Sequence, residues 1–150
     1  MVLNTGNLFG NRNNLINTGQ TKYKSYGSAA WVPTNYDYQW IQTNTGTLFG
    51  PHASANSSYY IIDLQLPHGA TLISITCTGS ADAQTYGTFD VFQSDMFGNL
   101  GVTMASGAIN SQLDLLNHVV DNQKYKYTAR LHPTINQPCT IYGVVVEYQE

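Results

Sequence analysis

The sequence has 150 residues, of which 42% are hydrophobic, 12% aromatic and only 10% charged, with a formal net charge of −3. This length predicts one domain with one core, and the aromatic content with the small net charge excludes a disordered chain. Six scattered Lys and Arg residues cannot build a phosphate-binding surface, and no apolar run could span a bilayer, so we expect neither a nucleic-acid nor a membrane partner.

Residues 1–57 are predicted to be an extended N-terminal arm of loops and short strands, because they are rich in Asn, Thr, Gly and Ser and lack a sustained helical period. The segment Asn4–Gly10 returns forty residues later as Asn44–Gly50, with six of seven positions identical. We interpret it as a repeated turn, in which Asn-Thr-Gly reverses the chain and Leu-Phe begins the next strand. Residues 1–58 are net basic and the remainder net acidic, a difference that indicates either an arm lying on a neighbouring copy or plain solvation.

Six aromatic residues crowd into eighteen residues of the arm and are the candidate binding residues. They are Tyr23, Tyr26, Trp31, Tyr36, Tyr38 and Trp40. Three interpretations stay open: they form core, they anchor the arm at a subunit interface, or their flat rings stack on sugars.

From residue 58 the pattern changes to short strands separated by turns. Residues 60–66 alternate apolar and polar side chains, as in a half-buried strand. Pro67-His68-Gly69 then reverses the chain into a second strand over 71–78, and we expect the two strands to form a hairpin.

Further strands are predicted over 86–93, 101–105, 124–132 and 139–148. The strand over 124–132 has the clearest alternation, and in the last one Tyr142, Val144, Val146 and Tyr148 share the predicted buried face. Only residues 113–121 have possible helical character. About seven strands at this spacing predict an all-β fold, an antiparallel β-sandwich of jelly-roll-like type over residues 58–150.

The two cysteines, Cys77 and Cys139, lie in separate predicted strands. The alternation places Cys77 toward the core and Cys139 away from it, so we expect two free thiols rather than a disulfide.

Residue patterns typical of catalysis or metal binding are not found in the sequence. The four histidines are far apart and have no ligand spacing, and no nucleophile or phosphate-binding motif is present. Asp63, Asp90 and Asp95 could supply a carboxylate pair, but they fit ordinary solvent-side positions of strands and turns. We therefore expect no enzyme activity, no metal and no cofactor.

Two segments carry a resemblance. Tyr60–Leu72, with its Leu-Pro-His-Gly-Ala-Thr reversal, and Ile141–Tyr148 resemble a poorly characterised β-sandwich module of bacterial surface proteins and phage structural proteins, over about residues 58–148. The resemblance implies display or assembly and no catalytic residues. The N-terminus also lacks the basic and apolar regions of a secretory signal.

These observations favour a non-enzymatic structural protein of a phage virion, either a head decoration or a fibre component. Its arm would dock on capsid or fibre proteins, or on copies of the chain itself, for example in a trimer. One alternative is a carbohydrate-binding or adhesive module that binds surface glycans, and another is a subunit of an extracellular filament. Both alternatives imply an extracellular or cell-surface location instead of a virion.

Overall fold

A computed structural model describes residues 19–34, 41–42, 48–50, 60–97, 101–133 and 139–150. In this part of the chain the strands are β1 (Thr21–Gly27), β2 (Val32–Pro33), β3 (Ile41–Gln42), β4 (Leu48–Gly50), β5 (Tyr60–Asp63), β6 (Thr71–Gly79), β7 (Gly87–Asp95), β8 (Val102–Ala108), β9 (Gln112–Val119), β10 (Tyr125–Pro133) and β11 (Cys139–Gln149). A single 3-10 turn, Ser28–Ala30, and one short helix, α1 (Ala81–Tyr86), complete the described elements. None of these helices is long and apolar enough to cross a membrane.

The strands form two antiparallel sheets, so the predicted all-β sandwich is confirmed. The first sheet has the order β3-β4-β11-β6-β9, and β1 also pairs with β11. The second sheet has the order β2-β5-β10-β7-β8. Helix α1 connects the two sheets between β6 and β7, and it begins where the Ser80 hydroxyl accepts a hydrogen bond from the Ala83 N–H, as N-cap residues commonly do.

The core lies between the sheets, and most of its side chains come from β5, β6, β7, β9, β10 and β11. Its largest fully buried members are Trp31, Tyr127, Phe89, Ile62, Leu72, Ile75, Ile109, Leu131 and Ile141. Each such side chain contributes roughly 1.5–3 kcal/mol through burial. The period of two predicted for residues 60–66 and 124–132 is confirmed, because alternate side chains of both segments are buried.

Described residues from the predicted arm contribute to both sheets. Strand β1 pairs with β11 over seven residues, and β2 pairs with β5. Trp31, between them, is only 1% exposed. These residues therefore share one core with the chain after residue 58, whereas residues 1–18 of the predicted arm lie outside the described residues.

The predicted hairpin between residues 60–66 and 71–78 is wrong. Strand β5 pairs with β10 and β2, whereas β6 pairs with β11 and β9 in the other sheet. The turn at residues 67–69 crosses from one sheet to the other, and the Gly69 N–H donates to the carbonyl of Val120. The apolar faces of the two strands consequently meet across the core instead of lying side by side.

The segment predicted as possibly helical is strand β9. Leu113 and Leu115 are buried, as in any half-buried strand, but Leu116 and Asn117 then adopt φ values of 51° and 55°. Two residues in this left-handed region interrupt the period of two, which explains why the apolar spacing imitates a helix. The helix at residues 81–86 was not predicted.

One predicted face in β11 is also wrong at its first position. Tyr142 is 51% exposed, whereas Ile141, Val144 and Val146 are buried. A register shift between Ile141 and Gly143 is the reason, because an extra residue in a strand reverses the side-chain phase.

Cys77 is buried in the core as predicted. The side chain of Cys139 lies outside the described residues, so the redox state of the two thiols stays a prediction. Among the residues that the structure describes, no group of three or more His, Cys, Asp and Glu side chains could hold a metal ion.

Candidate functional site

The outer face of the second sheet carries the most organised group of polar side chains. Residues that alternate with the buried ones point away from the core, and we call this surface the candidate face. Its members are Ile61, Asp63, Thr88, Asp90, Phe92, Thr103, Ser106, Thr128, Arg130 and His132. Neighbouring strands lie about 4.8 Å apart, so five strands make a surface roughly 19 Å across.

Asp90 lies on β7, next to β10, the central strand of the candidate face. The strand register places it beside Arg130 on β10 and Ser106 on β8. Arg130 donates two hydrogen bonds of 2.7 Å, from Nε to Oδ1 and from Nη2 to Oδ2, and His132 Nε2 lies 2.9 Å from Oδ2. Asp90 is consequently only 6% exposed although it points outward.

The electrostatics of this cluster keep Asp90 ionised. Burial by itself would raise the pKa of Asp90, but the hydrogen bonds from His132 and Arg130, together with their charges, outweigh it and leave the pKa below its ordinary value. A general acid for glycoside cleavage needs a raised pKa. Asp90 is therefore suited to accept hydrogen bonds and not to deliver a proton.

Arg130 is held from a second direction by an aromatic ring. Its guanidinium carbon lies 3.9 Å from the centre of the Phe92 ring, within the range of a cation–π contact. The ring in turn lies against the backbone at Gly101, where an added Cβ would come within 2.2 Å of the Phe92 Cε1 atom. Because the carboxylate and the ring both fix it, the planar guanidinium is pre-organised and loses little entropy when it binds.

The candidate face combines charged groups with exposed hydroxyls, and both kinds of group can form hydrogen bonds with a ligand. The centre offers charged donors and acceptors in fixed geometry, and these make stronger hydrogen bonds than neutral groups. Around the charged cluster lies a rim of exposed hydroxyls, those of Thr88, Thr103 and Ser106. The Nη2 atom of Arg130 also lies 3.4 Å from the Thr103 hydroxyl, which links the centre to the rim.

Three of the six aromatic residues predicted as a site, Tyr23, Tyr26 and Trp31, lie in the part of the chain that the structure describes. They do not share one surface. Tyr23 is 65% exposed on β1, opposite Glu147 of β11. Tyr26 is half-buried against the core, and burial raises its pKa to about 12. Trp31 is part of the core. Tyr36, Tyr38 and Trp40 lie outside the described residues, so their role stays a prediction.

The residues of the central cluster were not predicted as a site. The alternation in 124–132 correctly placed Arg130 and His132 on the wet face, and Asp90 was interpreted as an ordinary solvent-side residue. Their meeting depends on the pairing of β7 with β10, across 40 residues of sequence. A usable signal was present nonetheless, because an acidic residue and two basic residues occupy outward positions of two predicted strands.

No family model matches the sequence, and no curated protein matches it either. Several solved structures are similar in fold. One contains the CBM22-1 and GH10 modules of the endo-1,4-β-D-xylanase 10B of Clostridium thermocellum in complex with xylohexaose, with a TM-score of 0.56 and 10% identity over 85% of this chain. This chain spans 28% of its length.

The second is a low-affinity xylan-binding module, CBM86, from Roseburia intestinalis. It has a TM-score of 0.54 and 10% identity, and the match covers 87% of this chain and 97% of the module. At such identities the similarity shows a shared β-sandwich fold.

Proposed function

We propose that this protein is a non-catalytic carbohydrate-binding module that binds a polysaccharide on the candidate face. The cluster of Asp90, Arg130 and His132 carries the proposal, because it fixes charged donors and acceptors at the centre of a broad, polar sheet surface. The two similar structures support it, since one holds xylohexaose and the other is a xylan-binding module. An extracellular or cell-surface location accompanies this function.

The physical argument rests on matching the ligand's hydroxyl groups. Each sugar hydroxyl both donates and accepts. The Arg130 guanidinium is a donor held in place by the nearly buried Asp90, and the exposed hydroxyls of Thr88, Thr103 and Ser106 can take both roles. Regular strands hold such groups more rigidly than loops do. A carboxylate that stays ionised also keeps its acceptor strength at neutral pH.

The test replaces Arg130, whose two hydrogen bonds and ring contact both depend on a planar guanidinium. Arg130→Lys keeps the charge but loses the bidentate hydrogen bonds to Asp90. We therefore expect xylohexaose to bind at least about tenfold more weakly, a loss equivalent to one charge-assisted hydrogen bond. Isothermal titration calorimetry measures the change.

The matched control is Lys22→Gln in the first sheet. Lys22 forms an exposed ion pair with Glu150 on the first sheet and is not part of the candidate face, so its loss should leave xylohexaose affinity unchanged. A folded Arg130→Lys protein that binds as tightly as the parent would refute the proposed site.

The similar structures support the carbohydrate-binding hypothesis better than the virion hypothesis. Neither a capsid or fibre partner nor self-association receives support from the similar structures, and the filament hypothesis receives none either. These roles stay predictions.

A further inference from the structure

A groove lies next to the candidate face, where the first sheet approaches the edge of the second. Its volume is about 560 Å³, within the range of small-ligand sites. The polar part of its lining consists of Lys24 from β1, Asp63 and Gln65 from β5 and the segment after it, and Asn122 and Lys126 around the start of β10.

The groove is continuous with the candidate face. Asp63 lines the groove and also faces outward beside Thr128. Lys126 lines it as well, and it points to the same side of β10 as Thr128 and Arg130. Four residues of an extended strand span about 13 Å, so a polysaccharide seated over Arg130 can place a side group at Lys126 without leaving the surface.

The residues that line the groove carry a net positive charge, whereas the protein as a whole is net negative. The two lysines face a single carboxylate, that of Asp63, whereas the whole chain has a formal net charge of −3. Lys24 is fixed at the wall, because its ammonium group donates to the Gln65 carbonyl and lies 5.7 Å from the Tyr26 ring centre. A local positive charge on an acidic protein favours an anionic ligand group there.

We propose that this groove holds a carboxylate of an acidic polysaccharide, so that the ligand of the candidate face is a glycan with uronic acid side groups. This inference rests on the proposed function. The lysine ammonium groups would donate to the carboxylate, and Asp63 and Asn122 would contact neighbouring hydroxyls. One net positive charge in the lining matches one carboxylate.

The experiment compares two xylan oligosaccharides of equal length, one neutral and one with a glucuronic acid side group. We expect the acidic oligosaccharide to bind roughly two- to fivefold more tightly for each exposed lysine that pairs with it. The preference should shrink as salt is raised from 0.05 to about 0.5 M, because salt screens exposed charges. Titration calorimetry gives both affinities.

Lys126→Gln should reduce this preference and leave the affinity for the neutral oligosaccharide within about twofold. The matched control is Lys124→Gln, which removes an exposed lysine on the same stretch of chain that faces Asp121 and does not line the groove. It should keep the full preference.

Equal affinities of the parent protein for the two oligosaccharides would overturn the acidic ligand while the proposed function stands. An equal gain from a sulfate-bearing oligosaccharide would overturn the assignment to a carboxylate. If neither oligosaccharide binds, the proposed function itself fails, and this inference fails with it.

Discussion

The outer faces of the two sheets differ in how their polar side chains are held. On the first sheet, Ser74 donates one hydrogen bond of 2.8 Å to Glu147, and the exposed ring of Tyr23 lies beside it. On the second sheet, Asp90 has three contacts of 2.7 to 2.9 Å from two basic side chains. Among the side chains that the structure describes, only those of the second face gather several charged groups into one fixed arrangement.

The two faces therefore differ in how firmly their polar groups are fixed. A single part-buried hydrogen bond, such as the one from Ser74 to Glu147, contributes about 1 kcal/mol, whereas an ion pair taken out of water is costly to build and costly to break. Removing one partner of the cluster on the second sheet should consequently cost more stability than removing the contact on the first.

The largest effect should come from Asp90→Ala. Its loss leaves Arg130 and His132 close together without their carboxylate, and we expect the free energy of unfolding to fall by about 2–4 kcal/mol. Urea denaturation measures it. Glu147→Ala on the first sheet removes one contact from a hydroxyl and should cost about 1 kcal/mol or less. Equal losses for the two variants would remove the distinction between the faces.

A smaller effect should come from Gly101→Ala. The added methyl would collide with the Phe92 ring and lie 2.6 Å from the Gln93 carbonyl oxygen, so both the ring under Arg130 and the backbone must shift. We expect a loss of about 1–3 kcal/mol in stability and weaker binding of xylohexaose, measured by thermal unfolding and calorimetry.

Its matched control is Gly27→Ala in β1. No atom lies within 4 Å of a Cβ built there, so this change should be neutral or slightly stabilising. Unchanged binding by a folded Gly101→Ala protein would show that the Phe92 ring does not position Arg130.

The fold was predictable where the decisive pattern is local. The alternation of apolar and polar residues over 60–66 and 124–132 predicts which side chains are buried, whichever strand each segment pairs with. Three failures depend on partners distant in sequence: the turn at 67–69 that changes sheets, the left-handed pair Leu116 and Asn117, and the bulge at Tyr142. A local pattern does not reveal a register shift, because the shift exists only relative to the neighbouring strand.

The candidate site was less predictable than the fold for the same reason. The orientation of Arg130 and His132 followed from alternation, but the burial of Asp90 follows from the order of β7 and β10 in the sheet. For Trp31, packing selects the core from the three interpretations that the sequence left open. The composition of a sequence identifies its aromatic side chains, but the pairing of strands in the folded protein decides which of those side chains face solvent.

The smallest effect concerns pH and separates the charge of Asp90 from its packing. Because the pKa of Asp90 in the folded protein lies below its ordinary value of 3.8, the folded state favours the ionised form more than the unfolded chain does. The ionised carboxylate therefore contributes its full share of the free energy of unfolding above the pKa of Asp90 in the unfolded chain, near 4. This contribution is lost as the pH falls through the lower pKa of Asp90 in the folded protein.

We therefore expect the difference in unfolding free energy between the parent protein and Asp90→Asn to be full at about pH 5 and to shrink below about pH 4. Urea denaturation at several acidic pH values measures it. The isosteric amide keeps the shape of Asp90, so a difference that persists unchanged below pH 3 would assign the cluster's contribution to packing and hydrogen-bond geometry. A difference that shrinks assigns it to the carboxylate charge, which is the property that holds Arg130 in place in the proposed binding of sugar hydroxyls.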